Sequence, residues 1–88
     1  MVLHKQIIVS GKVADTGFRF YALKGAFMHR INGQVVQQDK KIIIDAEGDD
    51  IALQNFIEWC SLGPSCSKVS SVFVVEKPIY GYSDFKIL

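Results

Sequence analysis

The sequence predicts an α+β fold in which two helices lie on one face of an antiparallel sheet, and three observations carry that prediction. Short β-branched runs are separated by polar or glycine-containing breaks, as strands are. Two stretches instead carry apolar residues at helical spacing. The segments follow one another as β-α-β-β-α-β with a short extended piece at the end. A chain of 88 residues, 49% of them hydrophobic, can form one such core and has little room for a second.

The elements follow in order. Ile7-Ile8-Val9-Ser10-Gly11-Lys12-Val13 is β-branched and runs into an Ala14-Asp15-Thr16-Gly17 loop, a strand and then a turn. From Phe18 the residues favour helix: Ala22, Leu23, Ala26 and Phe27 share one face, and the helix fades near Arg30. Gly33-Gln34-Val35-Val36-Gln37 is extended, Gln38-Asp39-Lys40 is turn-like, and Lys41 to Glu47 alternates Ile42, Ile44 and Ala46 against Ile43, Asp45 and Glu47. Together they read as a β-hairpin. A second helix starts at Gly48-Asp49, with Asp49 an N-cap or first-turn acid. Leu53, Phe56, Ile57 and Cys60 line one of its faces, and Leu62-Gly63-Pro64 ends it. Val69 to Val75 is a further strand, and Phe85-Lys86-Ile87-Leu88 a short edge strand. This order is the ferredoxin-like α+β arrangement. Residues 1–88 are expected to form a single domain.

Ten basic and nine acidic residues give a net charge of +1, so the chain lacks the basic excess of a non-specific nucleic-acid binder. The strands that would stack single-stranded bases in a ferredoxin-like reader carry Ile7-Ile8-Val9 and Ile42-Ile43-Ile44 rather than aromatics. No nucleic-acid partner is expected. No apolar run approaches the length of a membrane span, and the first residues lack the pattern of a secretory signal. A cytoplasmic location without membrane association is the expectation. Cys60 and Cys66 have no histidine partners at metal-site spacing; both are read as reduced thiols, Cys60 towards the core.

The loop before the first helix is where chemistry can be placed. A strand, a glycine-containing turn and a helix start bring together amides with no intrahelical partner, at the positive end of the helix dipole. Such a place binds phosphate or carboxylate. Arg19 stands in that first turn, where a cation opposes the dipole by about 0.3–1 kcal/mol unless an anion lies between them. The residues leave two readings open, an anion site or an arginine in water.

The stretch Gly11-Lys12-Val13-Ala14-Asp15-Thr16-Gly17-Phe18-Arg19 resembles the acylphosphatase signature G-x-V-Q-G-V-G-F-R, with Gly11, Val13, Gly17, Phe18 and Arg19 in register. The resemblance continues through Ala26 and through Gly33-Gln34-Val35-Val36-Gln37, which is similar to the family's G-[aromatic]-V-x-N. It extends over Ala46-Glu47-Gly48-Asp49, Phe56-Ile57-Glu58-Trp59, Gly63-Pro64 and Phe85-Lys86-Ile87. It implies hydrolysis of acyl phosphates to carboxylate and phosphate with no metal or organic cofactor. The partners implied are a small acyl phosphate or inorganic phosphate, and the chain is expected to be a monomer. Asp15, Thr16, Gly17, Phe18 and Arg19 would form the phosphate-binding loop, with Arg19 and Gln37 as catalytic residues.

The pattern is broken at three places. Gln37 replaces the family's water-positioning asparagine and carries its amide about 1 Å further out, a displacement able to cost on the order of 100-fold in rate. Asp15 replaces a glycine and brings a carboxylate towards the anion; it could turn outward, or cap the helix and occupy the amides itself. Ala14-Asp15-Thr16 as a whole replaces Q-G-V, and Thr16 could donate to an anion or serve the turn. Outside the site, Gln34 stands for an aromatic and His29-Arg30 for a leucine-glycine pair, with His29 read as structural. Two functions follow: an acylphosphatase slowed by these departures, or a catalytically inactive protein of that fold that binds an anion or a partner.

Overall fold

A computed structural model describes every residue from Met1 to Leu88. The elements are β1 (Val2–Lys12), α1 (Phe18–His29), β2 (Asn32–Gln38), β3 (Lys41–Asp49), α2 (Asp50–Leu62), β4 (Lys68–Lys77) and β5 (Phe85–Ile87). The strands form one sheet in the order β4-β1-β3-β2-β5. All neighbours are antiparallel except β2 and β5, which run parallel, so the edge strand expected at the end of the chain is present but breaks the antiparallel rule. This is the ferredoxin-like fold.

Alternation sets the two faces of the sheet. Ile7 and Val9 of β1, Val35 of β2, and Ile42, Ile44 and Ala46 of β3 point to the helices and are fully buried there with Phe18, Ala22, Ala26, Leu53, Phe56 and Cys60. The second helix buries the face its spacing predicts. Asp49 occupies its N-cap position without making a side-chain cap bond, and Asp50 supplies the first-turn acid. Both cysteines are free thiols, Cys60 in the core and Cys66 exposed, and burial pushes the Cys60 thiol far up.

The first helix differs from its sequence reading at Phe27, which is 87% exposed. Its buried side is Phe18, Ala22, Gly25 and Ala26. The cause lies in α2: the Trp59 indole lies so close to Gly25 that a Cβ there would overlap the ring. That contact turns α1 about its axis and moves Phe27 outward. Tyr21 and Trp59 stack at 4.4 Å and bond reciprocally, Trp59 Nε1–H to the Tyr21 carbonyl at 2.9 Å and Tyr21 O–H to the Trp59 carbonyl at 2.7 Å. His29 packs edge-on against the same indole, a structural place as its sequence reading held. Trp59→Phe keeps an aromatic ring but loses the indole N–H bond to the Tyr21 carbonyl and part of the ring, so it is expected to lower stability by about 1–2 kcal/mol. Urea unfolding should show this as a lower midpoint at unchanged slope.

The register brings two distant segments to one edge of the sheet. Val9 and Gln37 both pair with Ile42 of the strand between them. The end of β2 therefore lies one strand away from the end of β1, where the chain leaves for α1.

Candidate functional site

The loop between β1 and α1 is a tight turn closed by its own side chains. The Thr16 hydroxyl donates to the Val13 carbonyl at 2.6 Å, the turn-forming alternative of the two open for it in the sequence. Asp15 sits at φ 59 and Gly17 at φ 78, both left-handed, where the family pattern carries glycine at each. Aspartate is among the few non-glycine residues that visit this region readily. From the other side the Cys66 thiol points to the Thr16 carbonyl at 3.2 Å.

The first backbone bond back into the loop is Tyr21 N–H to the Gly17 carbonyl at 3.1 Å. The amides just ahead of it belong to an open helix end. No acidic residue stands in the first turn of α1 and no side chain caps it, so nothing in the chain competes for those amides. Arg19 is half-buried, and its Nη1 donates to the main-chain oxygen of Leu88 at 3.1 Å. One donor of the guanidinium is spent on orientation, and four remain for a ligand.

Gln37 shares the helix-facing side of β2 with Gly33 and Val35, which directs it to the loop rather than to the open face of the sheet. There it meets Asp15 twice. The Asp15 main-chain N–H donates to Gln37 Oε1 at 3.0 Å, and Gln37 Nε2 donates to Asp15 Oδ1 at 3.1 Å. Asp15 thus does not cap the helix; its carboxylate is engaged across the loop. Gln38 is exposed, and Asn32 donates to the Tyr82 carbonyl at the far end of β2. The segments carrying Asp15, Thr16, Gly17, Phe18, Arg19 and Gln37 meet at one place. Phe18 itself points into the core and contributes only its main chain. The Leu88 oxygen and the Cys66 thiol were not legible as neighbours of this loop, because both arrive from segments distant in sequence.

A second polar cluster lies at the opposite end of the sheet. Glu47, on the open face of β3 and only 5% exposed, accepts N–H bonds from Tyr80 at 2.5 Å, Gly81 at 3.1 Å and Tyr82 at 2.8 Å. His4 lies beside it, with Nε2 3.0 Å from Asp45 Oδ1 and Nδ1 2.8 Å from the Pro78 carbonyl. Both ring nitrogens face oxygens, one of a carboxylate and one of the main chain. Burial would raise the Glu47 carboxyl, but the three amides and the neighbouring His4 outweigh it and hold the group below its ordinary range. This cluster clamps the segment from Pro78 to Tyr82 onto the sheet and is remote from the loop.

Residues 5–87 match the acylphosphatase family model. The chain is 36% identical over 83 residues to an acylphosphatase of Thermotoga maritima, covering 93% of this chain and 92% of that protein. It is 41% identical to one from Methanospirillum hungatei, covering 92% and 91%. The crystal structure of the Bacillus subtilis acylphosphatase superposes with a TM-score of 0.94 at 34% identity, over 100% of this chain and 99% of that one. No helix is long and apolar enough to cross a membrane. The agreement in sequence motif, sheet order and loop leaves one conclusion: the chain belongs to the acylphosphatase family.

Proposed function

We propose that this protein hydrolyses small acyl phosphates, with Arg19 and the loop amides from Thr16 to Arg19 holding the phosphoryl group, the Asp15 amide being engaged by Gln37, and Gln37 orienting the attacking water. The observation that carries this reading is the meeting of three features: an oriented guanidinium, an uncapped helix N-terminus and a side-chain amide from β2. An acyl phosphate already carries a good leaving group. Holding its phosphoryl oxygens among fixed donors, with water in line, supplies orientation and charge stabilisation without a nucleophilic side chain. Water attacks phosphorus, the bond from phosphorus to the acyl oxygen breaks, and carboxylate and phosphate leave. We take residues 1–88 to work as one domain and a monomer in the cytoplasm, with inorganic phosphate as a competing ligand and neither nucleic acid nor membrane as partner.

Hydrolysis of benzoyl phosphate tests this. Removing one oriented donor from such a site costs about 100- to 1000-fold in kcat, and Arg19→Ala is expected to lose at least that much. The second reading, an inactive protein that keeps the anion pocket, draws on the engagement of the Gln37 amide by Asp15. It prevails if the wild type shows no Arg19-dependent turnover while inorganic phosphate still shifts the amide resonances of residues 15–19.

A further inference from the structure

We infer that Asp15 is a positioning residue, acting through Gln37 to orient the water in the proposed hydrolysis; the inference rests on that reading of the site. Two of the departures from the family pattern, Asp15 beyond the end of β1 and Gln37 near the end of β2, lie 22 residues apart, yet they bond each other twice and neither side chain has another partner. Each bond fixes a different end of the same amide. Oε1 is held by a main-chain N–H and Nε2 by a carboxylate oxygen, so the plane of the Gln37 amide is set, not merely its location. One N–H and one lone pair of that amide remain free, enough to hold a water as donor and acceptor together.

The bridge answers a problem created by glutamine itself. Its side chain has one more rotor than asparagine, and a free amide at its end would sweep through several positions. The left-handed backbone of Asp15, φ 59, turns both its amide and its carboxylate towards β2. A glycine at this position could offer the amide but not the second bond. The same carboxylate opposes an incoming phosphate, since like charges a few ångströms apart repel at any dielectric a protein surface offers. Asp15 is therefore expected to help the chemical step and to hinder binding, and these two effects separate in kcat and KM.

The experiment compares wild type, Asp15→Gly, Asp15→Asn and the double variant Asp15→Gly with Gln37→Asn on benzoyl phosphate. Glycine adopts the left-handed conformation freely, so the loop keeps its path. Asp15→Gly should lower kcat by about tenfold or more while also lowering KM. Asp15→Asn keeps an oxygen for Nε2 without the charge; it should recover most of the kcat lost in the glycine variant and retain the lower KM. The double variant restores the family pair and should regain kcat. Independently of turnover, the Gln37 side-chain NH2 resonances should move in Asp15→Gly and stay close to wild type in Asp15→Asn. Arg19-dependent hydrolysis with kcat unchanged or raised in Asp15→Gly overturns the positioning role alone. Unmoved Gln37 resonances in Asp15→Gly overturn it as well, since the bridge is then absent in solution. Absence of Arg19-dependent hydrolysis overturns the proposed function, and the positioning role with it.

Discussion

Glu47→Ala is expected to remove about 3 kcal/mol of stability, much of what a domain of this size possesses. The carboxylate is held by the amides of Tyr80, Gly81 and Tyr82 and lies 3.7 Å from His4. Truncation leaves three donors and a histidine ring beneath a loop with no acceptor to replace the lost oxygens. Breaking a buried charged cluster from one side costs about 3–5 kcal/mol, and the lower figure applies because the cluster lies at the rim of the sheet under a single loop, where water can enter. Glu47→Gln separates charge from shape. It keeps one carbonyl oxygen for the amides but presents an NH2 to N–H groups, so it should recover only part of the loss. Urea unfolding of the three proteins at neutral pH, with slopes compared, measures both effects.

The same group makes stability depend on acid in a defined direction. Its carboxyl is lowered in the folded chain from a reference of 4.5, burial being outweighed by the loop amides and His4. The unfolded chain therefore takes up the proton first. The contribution is complete above the unfolded value and is lost as pH falls below 4.5 through the folded one. Unfolding free energy should fall over that interval in the wild type and less steeply in Glu47→Gln. Every other carboxylate is the same in both proteins, so the difference between the two curves reports Glu47. Equal acid slopes would remove this account of the cluster.

How far the sequence could be read follows from the range of the interactions involved. Strand parity and helical spacing are local: they set Ile42, Ile44 and Ala46 on one side of a strand and Leu53, Phe56, Ile57 and Cys60 on one face of a helix, and these are the sides that meet in the core, Ile57 at its margin. The signature around Arg19 was legible because a loop and a helix start are contiguous in the chain. Phe27 was misplaced because the rotation of α1 is decided by Trp59, on another helix, lying against Gly25. Glu47 alternates onto the open face as the pattern says. Its burial depends on a loop more than thirty residues later folding back over that face. Asp15 and Gln37 were each recognised as departures, yet their bridge requires the register in which Val9 and Gln37 share Ile42 as neighbour. Arg30 adds a smaller case: it ends α1 at φ 57, where the family pattern carries a glycine, so a local preference yields to the path of the chain.

Gly33→Ala is expected to destabilise the fold by about 4 kcal/mol or more, a size that calls for a specific steric cause. That cause is on both sides of the residue. Gly33 is buried in β2, pairs with Ala46 of β3 and Phe85 of β5, and donates its N–H to the Asp84 carbonyl at 2.8 Å. Its φ of 151 lies in a region that only glycine uses without strain, a term of about 1–3 kcal/mol. An added Cβ would also overlap the main-chain carbonyl oxygen of Asp45 and stand 2.8 Å from its carbon. Neither neighbour can yield cheaply. Asp45 belongs to a central strand, and its carboxylate holds His4, so displacing it loosens the clamp that Glu47 completes. Gly81→Ala provides the control, since its φ of 93 is also left-handed but a Cβ there meets nothing within 4 Å. The control should lose only the backbone term. For a chain of this length, 4 kcal/mol corresponds to a fall of about 16–32 °C in Tm, whereas the control should fall by distinctly less. If the two variants melt together, overlap at Asp45 is not what keeps residue 33 a glycine, and the close approach of β2 to β3 carries none of the cost assigned to it.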